Sequence, residues 1–461
     1  MFLDLDRKPQ DALAVKDDSG KVLSYGELVG FANEFKSAFP KRTLIFVLAE
    51  NSIDSLLGFI GALSAGIVPL VLSKKTESQL LERLKDMYRP EFVWAPNEMG
   101  GDLDYTPVFR SGTYSLFATG MTAPLMHEEL SMLLPTSGST GSPKLVRHNY
   151  RNIESNARNV AEMFHITPDV KTMAVLPMHY TMGLSVITSH LYAGAETFLS
   201  GRSLLDKKFW DTMKQERITS FTGVPFSYEI LHKIRFFRMD LPDLRIITQG
   251  GGKLDENIFR ECCEYAEKNG KQFIATYGQT ECTARMAFLS PELASAKVGS
   301  IGKAEPNGML SIVDENGVET FEGEATGEMV FRGENVTMGY ALGKEDLLKG
   351  DENHGVRYTG DIAYRDGDGC YYIVGRKSRF LKIFGLRIGL DEVESLIKSN
   401  FDTDCVCGGD DECLEVHITN GNISDQVLEF VVEKTHLYHG SIKVVIVDEI
   451  KRNETGKAIL F

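Results

Sequence analysis

Residues 131–144 read Ser-Met-Leu-Leu-Pro-Thr-Ser-Gly-Ser-Thr-Gly-Ser-Pro-Lys, an apolar run followed by a loop rich in glycines and hydroxyl side chains. The glycines let the backbone turn its N–H groups toward an anion, the hydroxyls add donors, and the lysine adds a mobile positive charge. The pattern predicts a phosphate-binding loop, with a flexible surface loop as the alternative. The predicted phosphate-binding residues are Thr136, Ser137, Gly138, Ser139, Thr140, Gly141 and Lys144.

The spacing of this loop argues against two common nucleotide sites. A nucleoside-triphosphatase loop has glycine, any four residues, then Gly-Lys-Ser/Thr. Counted from Gly138, Pro143 stands where the second glycine should be, and Leu145 stands where the hydroxyl should be. Neither this loop nor residues 250–252 has the Gly-x-Gly-x-x-Gly spacing of a dinucleotide-binding fold. A kinase, ATPase or Rossmann site is therefore not expected.

Composition limits the classes of partner. The chain has 461 residues with 43% hydrophobic content, which is enough for a large core and more than one domain. A formal net charge of -15 argues against nucleic acid or an anionic membrane surface, because both require a basic face. No signal sequence and no run of about 18 apolar residues is present. We expect a cytoplasmic protein with no nucleic-acid partner and no membrane insertion.

The first three hundred residues alternate between two patterns. Short apolar runs predict buried strands at residues 43–49, 67–72, 91–95, 172–176, 244–248 and 272–276. Amphipathic periodicity predicts helices at residues 53–64, 77–88, 149–164 and 255–268. This alternation predicts an α/β fold whose sheets are largely parallel.

The pattern of residues along the sequence changes twice toward the C-terminus. After Gly299, glycine-rich turns separate short strands, which predicts a β-rich subdomain. From Lys377 onward a charged segment leads into a small α+β unit whose first helix is predicted at residues 390–399. We expect a large domain at residues 1–377 and a small mobile domain at residues 378–461.

Two strand ends carry unusual residues, and ligands of parallel sheets bind beyond such ends. The strand ending at Thr248 leads into Gly250, Gly251 and Gly252, which would let a planar ligand lie against the backbone. The strand ending near Thr276 leads into Tyr277-Gly278-Gln279-Thr280-Glu281. Here an aromatic face could stack on a base, and a carboxylate could bind magnesium beside phosphates. Turns and solvated side chains are the structural alternatives.

Five motifs together resemble the adenylate-forming superfamily, which includes acyl-CoA synthetases, peptide-synthetase adenylation domains and firefly-type luciferases. They occur in the order of that family across residues 22–461, and the pattern is most similar to ligases that join acyl or aryl acids to CoA. The motifs are Thr136–Lys144, Tyr277–Glu281, Tyr358–Asp361, a linking segment from Gly375 to Glu394, and Thr455–Lys457.

The resemblance implies a role for each matched residue in a reaction that needs ATP and Mg²⁺. Tyr277 would stack on adenine, Asp361 would accept hydrogen bonds from both ribose hydroxyls, and Thr280 would contact the α-phosphate. Glu281 would bind the metal, and Lys457 would reach into the site during adenylation. The implied nucleotide-binding residues outside the loop are Gly250, Gly251, Gly252, Tyr277, Gly278, Asp361 and Arg376.

The resemblance also implies a second step, in which the small domain swings and the acyl group moves from AMP to a thiol. Ser378 would be the hinge, where the family usually has aspartate or lysine. The segment presented for transfer would include Lys382, Gly385 and Arg387.

The segment 177–185 bears on the acid. Amino-acid-activating relatives place an aspartate here to pair with the substrate ammonium, and residues 177–189 contain none. The His-x-x-x-Gly form at His179 resembles enzymes that activate acyl and aryl acids, although a core histidine is equally compatible. The predicted acid pocket comprises His179, Phe221, Thr222, Val224 and Ala275, and favours an apolar, uncharged acid.

Seven scattered cysteines suggest no disulfide framework and fit a reducing compartment. Cys405, Cys407, Cys413 and His417 could in principle bind zinc, but no Cys-x-x-Cys pair is present. We also expect the thiols of Cys405 and Cys407 to point to opposite faces of a strand. A metal site here is therefore the minor alternative.

The sequence thus predicts ATP- and Mg²⁺-dependent activation of a small carboxylic acid to an acyl-AMP, followed by transfer to a thiol. CoA is the favoured acceptor. The phosphopantetheine of a carrier protein, or an amine, is the alternative acceptor. A nucleotide-binding regulator without catalytic turnover is the alternative of another class.

Overall fold

The structure is a computed structural model that describes residues 1–103, 105–136, 144–377, 379–383, 386–410, 412–452 and 458. Ser137–Pro143, Ser378, Gly385 and Lys457, all named above as candidate site residues or their neighbours, lie outside the described residues.

Strands of the first half are β1 (Leu13–Asp17), β2 (Val22–Ser24), β3 (Leu44–Ala49), β4 (Val68–Ser73), β5 (Phe92–Pro96), β6 (Thr106–Ser111), β7 (Tyr114–Ala118), β8 (Leu130–Pro135), β9 (Leu145–Asn149), β10 (Lys171–Ala174), β11 (Glu196–Leu199) and β12 (Ser220–Gly223). Those of the second half are β13 (Ile246–Gln249), β14 (Gln272–Tyr277), β15 (Ala287–Leu289), β16 (Lys303–Ala304), β17 (Met309–Val313), β18 (Glu319–Thr320), β19 (Ala325–Arg332), β20 (Gly339–Ala341), β21 (Val356–Arg365), β22 (Tyr371–Arg376), β23 (Phe380–Ile383), β24 (Leu386–Gly389), β25 (Cys405–Gly409), β26 (Leu414–Ile418) and β27 (Ile442–Ile446).

The α-helices are α1 (Tyr25–Ala38), α2 (Ile53–Ser64), α3 (Ser78–Tyr88), α4 (Gly100–Leu103), α5 (Tyr150–Met163), α6 (Thr181–Ala193), α7 (Lys207–Gln215), α8 (Pro225–Lys233), α9 (Glu256–Lys268), α10 (Pro291–Ala294), α11 (Leu390–Asn400) and α12 (Ser424–Thr435). Capping side chains determine where several of these helices begin. Ser24 and Glu27 form a capping box at α1, and Asp255 accepts hydrogen bonds from the first turn of α9.

Three sheets build the larger part of the molecule. A nine-stranded sheet has the order β16-β15-β14-β13-β12-β10-β11-β1-β2, and its strands from β14 to β1 run parallel. An eight-stranded sheet has the order β20-β9-β8-β4-β3-β5-β7-β6 and is parallel from β8 to β5. The antiparallel five-stranded sheet β18-β17-β19-β21-β22 matches the predicted β-rich subdomain.

The main core lies between the two large sheets. It joins Val15 of the nine-stranded sheet and Ile45 of the eight-stranded sheet to Ile60 of α2 and Ile187 of α6. Strand β3 is buried at every position because its alternate side chains enter different cores. The C-terminal segment has its own core, which includes the buried Val416, and its own two- and three-stranded sheets.

This architecture confirms the predicted fold class, an α/β protein with parallel-rich sheets, a β-rich subdomain and a small C-terminal α+β unit. Helix α2 occupies the predicted residues 53–64, and the predicted strands differ from the observed ones by one to a few residues at their ends. The boundary between residues 377 and 378 stays a prediction.

The packing of α2 against β5 leaves no space at Gly58. A Cβ atom there would lie 2.2 Å from Cδ1 of Trp94, whose indole is fully buried and donates to the carbonyl of Asp54. We expect Gly58→Ala to lower the free energy of unfolding by about 1–3 kcal/mol, measured by urea denaturation with tryptophan fluorescence. Gly30→Ala, at an exposed position of α1 with open space, should instead raise it by about 0.5–1 kcal/mol. Equal stability of Gly58→Ala and the parent would contradict this packing.

Candidate functional site

The predicted phosphate loop connects two antiparallel strands, β8 and β9. At its base the N–H of Thr136 donates to the carbonyl of Lys144 over 3.3 Å. The two described ends of the loop are therefore held side by side, at the end of a pair of antiparallel strands in the eight-stranded sheet.

Tyr340 joins this loop to Glu281. The Lys144 ammonium lies 3.3 Å from the centre of the Tyr340 ring, a cation–π contact, and the Tyr340 hydroxyl donates to Oε1 of Glu281 over 2.7 Å. Burial raises the pKa of Tyr340 to about 12, so that its hydroxyl stays protonated and can donate. Strand β20 brings Tyr340 here by pairing with β9. Tyr340 could not be recognised from the sequence, because no local motif links it to Glu281.

Arg357 is a second residue that the sequence analysis missed. Its Nη2 lies 3.6 Å from Oε1 of Glu281, and its Nε donates to the side-chain oxygen of Gln279 over 3.3 Å. Among the described residues nothing donates a hydrogen bond to Oε2 of Glu281. Oε2 is therefore available to bind a cation. One such carboxylate ligand fits Mg²⁺, since magnesium is usually bound by one or two carboxylates together with phosphates and water.

Tyr277 and Asp361, predicted to bind the base and the ribose, lie next to each other. The Tyr277 hydroxyl donates to Oδ2 of Asp361, and the Gln279 amide donates to the same oxygen over 3.2 Å. Arg376 lies 3.6 Å from Oδ1. Burial raises the pKa of Asp361, while the hydrogen bond from Tyr277 and the charge of Arg376 oppose that rise. The carboxylate is thus held by donors that a pair of ribose hydroxyls could join or replace.

Thr280 is oriented by the start of α6. The hydroxyl of Thr181 donates to Oγ1 of Thr280 over 3.0 Å, and Thr280 is 9% exposed. Because a hydroxyl has one proton and two lone pairs, accepting this bond leaves the Thr280 proton available for an anion.

The chain between Gly278 and Arg285 makes an unusually tight turn. A Cβ at Gly278 would lie 1.4 Å from the carbonyl oxygen of Ala284, so only glycine fits. Thr283 and Ala284 have φ angles of 52° and 94°, a backbone conformation that costs non-glycine residues of the order of 1–3 kcal/mol each. Such strain clusters at functional sites, and here it follows directly after Glu281.

The glycine segment 250–252 lies against an apolar wall. A Cβ at Gly250 would come within 2.4 Å of the Thr276 hydroxyl oxygen and 2.9 Å of the Met182 sulfur. At Gly251, where φ is +82°, it would lie 2.7 Å from the Tyr180 hydroxyl. Tyr180, Met182, Leu176 and Val224 form one buried apolar cluster. Tyr180 and Met182 are further residues that the sequence analysis passed over.

The five predicted acid-pocket residues fall into two groups. Val224 belongs to the cluster beside Gly251, Thr222 shares a hydrogen bond with Thr248 over 2.8 Å, and His179 is half-buried just before Tyr180. Phe221 and Ala275 instead lie in the core covered by α8 and α9. Because side chains alternate along a strand, Phe221 and Thr222 point to opposite faces of the sheet. Phe221 and Ala275 therefore lie on the opposite face of the sheet from Thr222.

The small domain contacts the large one near the glycine segment. The Lys253 ammonium lies 3.4 Å from the Ser395 hydroxyl, and the Arg452 guanidinium lies 5.6 Å from the centre of the Phe226 ring. Of the predicted transfer residues, Lys382 lies in β23 and Arg387 in β24, and the two are paired in register. Their side chains, with Ser378, Gly385 and Lys457, are outside the described part, so their roles stay predictions.

The expectation for Cys405 and Cys407 is wrong. Their sulfur atoms lie 4.0 Å apart, because residues two apart on a strand share a face. All seven cysteines are free thiols, and within the described part of the chain no cluster of three or more histidine, cysteine or carboxylate ligands occurs.

Among the residues that the structure describes, no helix combines the length and apolar character needed to cross a bilayer.

Comparison with known proteins identifies the family. The AMP-binding enzyme family matches residues 3–341. Indoleacetate–CoA ligase of Aromatoleum aromaticum is 32% identical, over 94% of this chain and 91% of its own length. A 2-succinylbenzoate–CoA ligase of Bacillus cereus is 27% identical, over 90% and 86%. The solved structure of o-succinylbenzoate CoA synthetase of Bacillus subtilis with an acyl-adenylate superposes with a TM-score of 0.81 at 20% identity, covering 99% of this chain and 96% of that one.

The chain belongs to the AMP-binding enzyme family, and the resemblance drawn from its five motifs is confirmed. The structural likeness confirms the fold as that of adenylate-forming enzymes. The prediction of an enzyme is likewise confirmed by the family.

The contact between Tyr340 and Glu281 gives a direct test of this site. Tyr340→Phe removes the hydrogen bond and keeps the aromatic face under Lys144, so we expect carboxylate-dependent pyrophosphate exchange at limiting Mg²⁺ to fall about 10-fold. Tyr340→Leu removes both contacts and should fall further. Tyr438→Phe, at a position 72% exposed in the small domain, serves as the control. If Tyr340→Phe and the parent show the same dependence on Mg²⁺, Tyr340 does not position Glu281.

Proposed function

We propose that this protein is an AMP-forming acid–thiol ligase. It uses ATP and Mg²⁺ to convert a carboxylic acid without an ammonium group into an acyl-AMP, releases pyrophosphate, and transfers the acyl group to CoA. The relatives that cover most of the chain are CoA ligases, which supports CoA as the acceptor. The free thiols fit a reducing cytoplasm, which we propose as its location.

One observation carries this proposal: Lys144 at the end of the predicted phosphate loop, the carboxylate proposed to bind the metal and the carboxylate proposed to bind the ribose lie along one chain of contacts. Lys144 contacts Tyr340, Tyr340 contacts Glu281, Arg357 connects Glu281 to Gln279, and Gln279 contacts Asp361. An ATP molecule needs donors and cations at its phosphates and an acceptor at its ribose, and this chain of contacts supplies them in that order.

In the first step a carboxylate oxygen of the acid attacks the α-phosphorus of ATP. A new oxygen–phosphorus bond forms, and the bond from the α-phosphorus to the leaving pyrophosphate breaks. Negative charge accumulates at phosphorus and on the pyrophosphate, so oriented donors and cations lower the barrier. We assign the Thr280 hydroxyl to the α-phosphate and Lys144 to the pyrophosphate, and Lys457 approaches from the small domain.

No protein nucleophile is needed, because a carboxylate is already ionised at neutral pH. Mg²⁺ bound at Glu281 would neutralise part of the triphosphate charge. Arg357 contributes a permanent positive charge beside the same carboxylate. Burial works against the charge of Arg357, but Glu281 and Tyr340 more than offset it and raise its pKa.

In the second step the CoA thiol loses its proton to solvent, and its sulfur attacks the acyl carbon. A carbon–sulfur bond forms, and AMP leaves with the electron pair of the acyl–oxygen bond. We propose that residues 378–461 rotate between the steps about Ser378. Arg379, the residue directly after the proposed hinge, forms ion pairs with Asp391 and with Glu394. These pairs tie the residue after the hinge to α11, so that the small domain would move as one body.

The proposal is tested by a panel of carboxylic acids supplied with ATP, Mg²⁺ and CoA. We expect at least one aryl or acyl acid to support exchange of labelled pyrophosphate into ATP and to yield a CoA thioester by mass spectrometry. Accumulation of the acyl-AMP without thioester would identify a carrier protein or an amine as the acceptor. Absence of exchange across a broad panel would favour a nucleotide-binding regulator.

Lys457 provides the second test. Lys457→Ala should reduce adenylation by at least 100-fold, since it removes a cation from the developing charge, while transfer from supplied acyl-AMP to CoA continues. Lys451→Ala, which removes an exposed lysine six residues earlier, is the matched control and should leave both steps unchanged. Normal adenylation by Lys457→Ala would exclude the proposed role.

A further inference from the structure

Arg147 is a buried cation that the steps above do not use. It lies on β9, three residues after Lys144, and its side chain is fully buried. An arginine has five N–H donors, and here each of the five has an acceptor. Four acceptors are backbone carbonyls, and the fifth is the half-exposed carboxylate of Glu352, which supplies the opposite charge. A buried charge that is satisfied in this way holds the groups around it in one arrangement.

Two of these bonds fix the strand that carries Tyr340. Nε of Arg147 donates to the carbonyl of Tyr340 and Nη2 to the carbonyl of Met338, each over 3.0 Å. Gly339 stands between them with φ of +119°, and a Cβ atom there would lie 3.0 Å from Nη2 of Arg147. The glycine therefore leaves the space that the guanidinium needs beside β20. Arg147 in this way holds the backbone of the residue whose hydroxyl donates to Glu281.

The other bonds fix the segment that leads to Arg357. Nη1 donates to the carbonyls of Lys349 and Gly350, and Nη2 donates to the carboxylate of Glu352. The chain then enters β21, and near its start Arg357 lies 3.6 Å from Oε1 of Glu281. The guanidinium therefore also holds the beginning of the segment that delivers the second contact to this carboxylate.

The two segments are joined to each other and to the backbone of Glu281. Thr337 donates to the carbonyl of Glu281 through both its N–H and its hydroxyl, each over 3.0 Å. The Asn353 amide donates to the carbonyl of Thr337 over 2.7 Å. The N–H of Glu352 donates to the carbonyl of Met338 over 2.9 Å. The bonds of one guanidinium thus connect the groups that hold both the backbone and the side chain of Glu281.

We propose that Arg147 is a positioning residue for the Glu281 carboxylate, which it orients by fixing the segments that carry Tyr340 and Arg357. The inference rests on the proposed ligase function and deepens it, because Arg147 acts through other side chains and not on a reactant. Both contacts reach Oε1 of Glu281, which keeps Oε2 for Mg²⁺. Replacing residues that orient a metal ligand typically lowers metal affinity or activity by about 10- to 100-fold.

A buried arginine can also serve the stability of the fold alone, and Arg365 provides the matched control for that role. It is 2% exposed and donates to three backbone carbonyls in and beside the turn between β18 and β19. Arg365 ends β21, whereas Arg357 lies near the start of that ten-residue strand. The two arginines, Arg147 and Arg365, thus match in burial and in the kind of acceptor, and differ in whether they hold the contacts of Glu281.

The experiment measures ATP binding by calorimetry, with and without Mg²⁺, in the full-length parent, Arg147→Met and Arg365→Met. In Arg147→Met we expect the improvement in ATP affinity that Mg²⁺ gives to fall about 10-fold, with much less change in the metal-free affinity. Arg365→Met should respond to Mg²⁺ as the parent does, even where it unfolds at a lower temperature. In pyrophosphate exchange the same loss should raise the KM for Mg²⁺ and leave the KM for the acid unchanged.

A double-mutant cycle with Tyr340→Phe tests the route of the effect. Because both changes release the same carboxylate, Arg147→Met should alter the response to Mg²⁺ much less in the Tyr340→Phe background than in the parent. Arg147→Lys keeps the charge but not the planar set of five donors, so it should recover only part of the response. If Arg147→Met does not fold, Arg147→Lys compared with Arg365→Lys decides the same point, with a loss expected in Arg147→Lys alone.

Three outcomes would overturn the proposal: a parent-like response to Mg²⁺ in the Arg147 variants, an equal loss in the Arg365 variants, or effects of Arg147→Met and Tyr340→Phe that simply multiply. Absence of pyrophosphate exchange with every acid would instead overturn the ligase function. The binding measurements need no acid, so they would still decide the role of Arg147.

Discussion

The hydrogen bond from Tyr340 to Glu281 is the contact on which the site depends, because it joins elements from different sheets. Tyr340 lies on β20 at the edge of the eight-stranded sheet, and Glu281 follows β14 of the nine-stranded sheet. Arg357, at the start of β21 in the five-stranded sheet, contacts the same carboxylate. Apolar cores hold the sheets against one another, and at this point polar contacts bring side chains from three sheets together around one carboxylate. The same tyrosine carries Lys144 on its ring, and so a single side chain contacts both the carboxylate and the cation that we assign to ATP binding.

Backbone strain makes this arrangement possible. The turn after β14 must bring Glu281 toward Tyr340 and then return the chain to β15 as an antiparallel neighbour of β14. It does so with Gly278 against the carbonyl of Ala284 and with two successive non-glycine residues at positive φ. Asn335 compensates for part of the cost by donating to the carbonyls of Cys282 and Arg285. A buried polar side chain thus replaces the regular hydrogen bonds that the tight turn gives up.

Local pattern was enough to predict most of the fold. Periodicity gave α2 and the buried strands, because a core between two sheets demands apolar residues at regular spacing. The direction of individual side chains was predicted less accurately, although it follows from the same periodicity. Cys405 and Cys407 share a face of their strand, whereas Phe221 and Thr222 do not. Both facts follow because successive side chains of a strand point to opposite faces of the sheet. Tyr340, Arg357 and Arg285 could not be found by spacing, since each meets its partner through long-range packing.

Arg285 carries one signal that the sequence does show. It stands in the run Cys282-Thr283-Ala284-Arg285-Met286-Ala287, where apolar neighbours predict burial and a charge is out of place. A buried charge persists only if a partner, in the protein or in a ligand, offsets the cost of removing it from water. Within the described protein the partners of Arg285 are one hydroxyl and one aromatic ring, which are neutral. The buried carboxyl of Glu305 acts on the charge of Arg285 from beyond ion-pair distance, and its Oε2 likewise has no hydrogen-bond partner among the described residues, so the two groups influence each other only through the low-dielectric interior.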